Sequence, residues 1–313
     1  LNEHEAPVWC CAFHPLVPLL ASGGGDRIVR LWRMDGECLR VLRGHSEWVY
    51  SLSFSPSGEL LVSASFDGSL RVWDVSNGKC VRVMRAGGIN FLACSFDPLG
   101  TFIAAASSDK LIRFFRLSDG EVSRTLRGHE KEVTCLSFHP SDRLLASGSL
   151  DCSLRLWSTK SGEQLRVLGG RAQAKVWCCS FSPSGHLLAS GGSDSVIRLW
   201  RVEDGEVVSS LSGHRGAVRT LAFDARGGDG GELLISGEGN LMWGSDNSVR
   251  VWGPVERGDR MQLQPLQEGE RWKWRCLAVV LGHGKMITNV ALPPDGSFFA
   301  SSSRDGSVRL WSV

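Results

Sequence analysis

Residues 44–84 read GHSEWVYSLSFSPSGELLVSASFDGSLRVWDVSNGKCVRVM, and this stretch decides the fold. Its apolar runs VYSLSF (49–54), LLVSAS (60–65) and LRVW (70–73) are too short for helices and are rich in strand formers. The turn formers SPSG (55–58), FDG (66–68) and VSNG (75–78) separate them, the last leading into CVRVM. The stretch therefore predicts four short antiparallel strands.

Outward from this unit, the same pattern recurs. The endings IVRLW, LRVW, IRFF, LRLW, IRLW, VRVW and VRLW close at Trp32, Trp73, Phe115, Trp157, Trp200, Trp252 and Trp311, in steps of 41, 42, 42, 43, 52 and 59 residues. This divides one domain, 1–313, into seven repeat units: 1–32, 33–73, 74–115, 116–157, 158–200, 201–252 and 253–313. A twisted four-stranded sheet has two faces to cover. Stacking such sheets around an axis covers both and leaves only short edges, so the expectation is an all-β, seven-bladed β-propeller.

The GH pairs and the closing tryptophans, at a period of 40 to 45 residues in the regular units, resemble the WD-repeat family along essentially the whole chain. The resemblance implies a buried network of His, Ser, Asp and Trp in each blade. Five units carry complete sets: His4, Ser22, Asp26, Trp32; His45, Ser63, Asp67, Trp73; His129, Ser147, Asp151, Trp157; His214, Ser236, Asp246, Trp252; and His283, Ser301, Asp305, Trp311. Ser, His and Asp are also the residue types of an acyl-transfer triad. An enzyme needs one such site, however, not five copies, and a buried indole and imidazole need partners in any case. The third unit departs, with Gly87, Ala105 and Phe115 at the His, Ser and Trp positions and only Asp109 kept; the fifth has Ala172 for His beside Ser190, Asp194 and Trp200. An Arg stands two residues before each closing aromatic, where its stem packs on the ring's face of the strand.

Composition excludes several classes. A net charge of +2 gives no general attraction to nucleic acid or anionic lipid. No apolar run reaches the roughly 18 residues of a membrane span. The ten cysteines include the doublets Cys10–Cys11 and Cys178–Cys179 but no CxxC pair, so they read as reduced packing residues and no metal site is expected. The glycine-rich GGGDR and RGGDGG lack the Lys, Ser or following helix of a phosphate-binding loop, and no cofactor is expected. These features point to an intracellular protein, cytoplasmic or nuclear, without enzymatic activity.

In the family the sequence unit is offset from the blade: residues before GH form the outer strand of the blade before. Only three residues precede His4 and two follow Trp311, so the last blade is expected to lack its outer strand, with flanking chain completing it. The sixth unit holds the insertions: ARGGDGG (225–231), EGNLMW (238–243) and a segment of about 253–275 ending in ERWKWR, whose Trp272 and Trp274 are expected against the side of the ring.

The resemblance places the residues flanking each first strand's leading Val, and those just before the Asp, around one channel mouth. The flanking positions are Pro7 and Trp9, Trp48 and Tyr50, Asn90 and Leu92, Glu132 and Thr134, Lys175 and Trp177, Ala217 and Arg219, Met286 and Thr288. The turns add Gly25, Phe66, Ser108, Leu150, Ser193, Ser245 and Arg304. Trp, Tyr and Arg dominate interface hot spots. Trp9, Trp48, Tyr50, Phe66, Glu132, Lys175, Trp177, Arg219 and Arg304 are thus the candidate partner-binding residues. The expectation is a scaffold for peptides or protein loops. The family also supplies substrate receptors of ubiquitin ligases, although the W-D-x-R signature of one such class is absent, since Val75 and Ser76 follow Trp73–Asp74. Nucleic-acid binding is a third reading, because rims of aromatic and Arg residues can stack bases.

Overall fold

Each repeat folds as an antiparallel sheet with its strands in chain order in the computed structural model, which describes residues 1–141, 143–169, 174–224, 232–239, 245–254 and 274–312. Six sheets have four strands and the seventh has three. Blade two holds Val49–Phe54, Leu60–Ser65, Ser69–Asp74 and Cys80–Arg85; no helix occurs among the described residues. The first strands touch one another in a closed cycle, that of blade seven (Ile287–Ala291) meeting Val8–Phe13 of blade one. Seven blades thus close one ring.

The core lies between blades rather than within one. Cys10, Ala21 and Leu31 of blade one pack with Val49, Leu61 and Trp73 of blade two; Val8, Leu20 and Trp32 pack likewise with Ala300 and Val308 of blade seven. Burying a Leu or Val of this kind stabilises the ring by about 1.5–3 kcal/mol. The fit is close where small residues face the next blade: a Cβ on Gly191 would stand 2.5 Å from Val218 Cγ1.

The buried network takes one form in four blades. In blade two the Trp73 indole N–H donates to Ser63 Oγ (2.8 Å), Ser63 Oγ meets His45 Nε2 (2.6 Å) and His45 Nδ1 meets Asp67 Oδ2 (2.8 Å). With the serine oxygen accepting from the indole, its proton serves Nε2, and Nδ1–H serves the carboxylate. The indole, hydroxyl and imidazole of this network are then all paired, so their burial carries no unpaired-group penalty. His4–Ser22–Asp26–Trp32, His129–Ser147–Asp151–Trp157 and His283–Ser301–Asp305–Trp311 repeat it.

Blade six departs from the expected set. His214 Nε2 bonds Ser236 (2.6 Å) and Trp252 donates to the same oxygen (2.7 Å), but His214 Nδ1 meets Glu238 Oε2 at 3.0 Å rather than Asp246. Glu238 pairs with Val218, the register position that Ser65 holds opposite Val49 in blade two. The insertion begins after it, and the longer carboxylate side chain reaches the imidazole. Asp246 turns instead to the Ser248 N–H (3.0 Å) and Arg250 (3.4 Å).

Where the histidine is missing, arginine is the charged partner left to the carboxylate: Arg113 bonds Asp109 at 2.5 Å in blade three and Arg198 bonds Asp194 at 2.6 Å in blade five. Where the histidine is present the arginine varies, Arg30 sharing Asp26 with His4 at 2.6 Å and Arg155 standing 3.9 Å from Asp151. The Trp200 indole is satisfied by Ser190 Oγ alone (2.8 Å); Ala172 lies outside the described residues. Two further histidines latch neighbouring blades: buried His14 and His139 reach the carbonyls of Gly58 and Gly185, each at 3.1 Å.

In the described part of the long insertion, Gly253 pairs with Arg275 and Pro254 with Trp274, so these residues extend the third and fourth strands. The half-buried Trp274 ring meets Phe223 edge-on at 6.3 Å, on the ring's own side. Trp272, the segment 225–231 and residues 240–244 lie outside the described residues.

Blade seven ends at Val308–Ser312 with no fourth strand among the described residues. Leu1 nevertheless exchanges both backbone bonds with Val308 (3.0 and 3.1 Å). In five of the other six blades the residue three before the GH histidine position pairs in the same place, as Leu42 does with Val29 and Leu126 with Ile112; in blade four it is Leu168, four before Ala172, that pairs so with Leu154. Leu1 therefore occupies the first register position of the outer strand.

Candidate functional site

Seven β-bulges build the mouth of the ring. Each first strand slips register directly after its leading residue: Val8 pairs with Gly24 but Cys10 with Gly23, and Val176 with Gly192 but Cys178 with Gly191. The extra, unpaired residues are Trp9, Tyr50, Leu92, Thr134, Trp177, Arg219 and Thr288. A bulge re-aims its side chain. Val8 and Cys10 both stay in the core, while the residue between them is only partly buried. The sequence pattern finds these positions, but the bulge that explains them is visible only in the pairing.

A second backbone contact ties the turn before each Asp to the residue ahead of the leading Val. The Phe66 N–H donates to the Trp48 carbonyl (2.9 Å), Leu150 to Glu132 (3.0 Å), Ser193 to Lys175 (3.0 Å) and Arg304 to Met286 (3.0 Å). In blade six Gly239 rather than Ser245 makes this bond to Ala217 (3.0 Å), and Ser245 Oγ bonds Glu238 instead (2.8 Å).

These supports bring four rings together. Trp9 of blade one stacks on Tyr50 of blade two at 5.3 Å and on Trp48 at 5.7 Å; Phe66 completes the group at 5.5 Å from Tyr50 and 6.2 Å from Trp48. Trp48 keeps 42% and Phe66 38% of its surface exposed, so the group is a surface platform and not a sealed core. Arg304 lies over Trp9, with its guanidinium carbon 5.5 Å from the ring centre. On the other side Arg219 covers Trp177 at 3.9 Å, a close cation–π contact. Glu132 and Lys175 are exposed and are tied to the mouth only through their backbone carbonyls.

The electrostatics join the two groups. Burial raises the Tyr50 hydroxyl above its ordinary pKa, and the charges of Arg304 and Arg219 both act against that rise. Burial lowers Arg219, with Tyr50 opposing and Arg304 adding to the shift. Two indole donors, Trp9 Nε1 and Trp177 Nε1, are buried without a hydrogen-bond partner, as is Arg219 Nε. Among the described residues no group of His, Cys, Asp and Glu is arranged to hold a metal ion. No helix among them is long and apolar enough to cross a membrane.

Among known proteins, the chain is similar to nuclear distribution protein PAC1 of Gibberella zeae, 36% identical over 23% of this chain and 20% of that protein. It is similar also to the probable cytosolic iron-sulfur protein assembly protein Ciao1 of Culex quinquefasciatus, 37% identical over 24% of this chain and 23% of that protein. These matches span about a fifth of the relatives' own length. The sequence profile described as WD domain, G-beta repeat matches residues 1–33, 36–74, 78–116, 120–158, 162–201, 205–253 and 274–312. Repeat by repeat, and in the ring that the repeats build, the chain belongs to the WD domain, G-beta repeat family.

Proposed function

We propose that this propeller is a non-catalytic scaffold that holds peptides or protein loops on the face bearing Trp9, Trp48, Tyr50, Phe66, Trp177, Arg219 and Arg304. The carrying observation is the four-ring stack drawn from two blades, with Trp48 and Phe66 each more than a third exposed. Large aromatics left in water forgo burial energy that a partner can recover, and rigid rings lose little conformational entropy on binding. The histidine networks support the non-catalytic reading, because in four blades His, Ser and Asp are paired with one another, in blade six Glu238 takes the place of Asp246, and all five histidines are buried. The relatives are named for distribution and assembly rather than for reactions. An intracellular setting accords with the word "cytosolic" in one of those names and with ten unpaired cysteines.

The test replaces Trp48, Tyr50 and Trp177 with Ala and compares partner recovery and melting temperature with the unchanged chain. The expected result is loss of recovered partners with a small fall in melting temperature. Undiminished recovery overturns the reading. The open edge at Val308–Ser312 belongs to the same proposal: chain running back from Leu1, in the register that Leu1 already occupies, is the fitting fourth strand.

A further inference from the structure

We infer that the channel mouth is an oxyanion site, and that the peptide segment held there carries an acidic side chain, seated between Arg219 and Arg304 and flanked by the aromatic stack. The inference rests on the scaffold reading and specifies its partner.

The argument begins with arginine pairing elsewhere in the ring. Among the described residues five of the seven arginines before the closing aromatics have a carboxylate partner, Arg30 with Asp26, Arg113 with Asp109, Arg155 with Asp151, Arg198 with Asp194 and Arg250 with Asp246, while Arg71 and Arg309 do not. Arg219 and Arg304 have none among the described residues. Both are half-buried and held against indole faces, 3.9 Å over Trp177 and 5.5 Å over Trp9. Both charges reach Tyr50, and that of Arg304 acts on Arg219, so like charges stand together in one mouth. Ring quadrupoles offset about 0.5–2 kcal/mol of such a charge, less than a hydrogen-bonded counter-ion supplies.

The uncharged groups point the same way. Trp9 Nε1, Trp177 Nε1 and Arg219 Nε are buried donors without acceptors. A site with two cations and spare N–H donors, and no carboxylate paired to them among the described residues, complements carboxylate or phosphoryl oxygens. A free inorganic ion would leave the exposed faces of Trp48 and Phe66 uncovered, whereas an acidic residue beside an apolar one in a peptide covers both. A nucleic-acid strand would meet the same stack, but a net charge of +2 provides no wider basic track for its backbone.

The experiment selects a phage-displayed random peptide library on the whole chain, on R219Q, on R304Q and on the Trp48, Tyr50, Trp177 triple-alanine variant. The expected result is enrichment of clones with Asp or Glu next to an aromatic or aliphatic residue. A synthetic peptide of the leading clone should lose about tenfold in affinity in either Arg variant, while its Gln counterpart, weaker from the start, should bind all three chains alike. A phosphoserine version that binds more tightly than the Glu version assigns the natural oxyanion to phosphate; the reverse assigns it to carboxylate. Enrichment of neutral clones that depend on Trp48 overturns the oxyanion site and keeps the scaffold. Enrichment of nothing removes both, as does displacement of every clone by oligothymidylate with a steep salt dependence. Should R219Q unfold, the half-exposed R304Q decides, with stabilisation of the unchanged chain by sulfate over chloride at equal ionic strength, absent in R304Q, as the second readout.

Discussion

A single serine oxygen carries the heaviest polar duty in a regular blade. Ser63 Oγ accepts from Trp73 and serves His45, so its loss orphans two buried groups at once. Among the described residues Ser190 serves only Trp200, since its unit has Ala172 at the histidine position. An unpaired buried group costs about 1–3 kcal/mol, so Ser63→Ala is expected to lower stability by about 2–4 kcal/mol and Ser190→Ala by about 1–3. Denaturant unfolding of both variants checks the difference; equal losses would mean that the imidazole gains nothing from the serine. At this scale much was legible in the sequence, because fixed spacing names the serine and the tryptophan. The exchange of Asp246 for Glu238 was not, since it depends on how far a side chain reaches once an insertion has displaced the usual turn. Nor was the pairing of Asp109 and Asp194 with arginine, because one Arg sits at that spacing in every unit and only geometry shows which of them reaches its carboxylate closely.

Strands were easier to read than the way they are joined. Alternating short runs between turn formers give all of blade two, and the count of residues around His4 and Trp311 gives the three-stranded seventh blade. The bulge after each leading Val was hidden, as a register slip leaves no mark on composition. It decides the site, because it turns Trp9, Tyr50, Trp177 and Arg219 toward the mouth. The edge of Val308–Ser312 offers a direct test of pairing. An alternating Val/Thr segment of about five residues placed ahead of Leu1 would continue its bonds to Val308 along Arg309 to Ser312. The melting temperature is expected to rise by about 2–4 °C for each kcal/mol so gained. The same segment with Pro at its centre, lacking a ladder donor, should give no rise. Equal melting temperatures for both extensions would show that the edge does not take a strand in this register.

For the whole ring, the repeated networks make stability depend on pH. Burial lowers His45 and His283 from their ordinary value of 6.5, an effect that Asp67 and Asp305 only partly offset. Below about 6.5 the unfolded chain then binds protons that the native ring refuses, so this contribution is intact above that value and is lost as pH falls through the lowered native pKa. The carboxylates act lower down. Burial raises Asp26, but hydrogen bonds from His4 and Arg30 outweigh it and bring the group to about 2; Asp305, bonded by Ser307 and His283, also lies at about 2. Their contribution holds above the unfolded value of 3.8 and is lost on acidification toward 2. Calorimetry should find the melting temperature steady above neutrality, declining below about pH 6.5, and falling more steeply below about pH 4. A flat profile between about pH 7 and 5 would contradict the neutral buried imidazoles.

The meeting of Leu1 with Val308 also governs how the molecule can be handled. Leu1 and Ser312 both lie on the blade of Val308, at the side of the ring, while the stacked aromatic rings of blades one and two lie at the channel mouth. A tether, label or fused domain at either end therefore hangs from the side of the wheel and leaves its hub clear. Bridging those neighbouring ends and cutting an exposed turn elsewhere, such as Asp119–Gly120, would give a circular permutant with the same hub and a rim opening in a different blade.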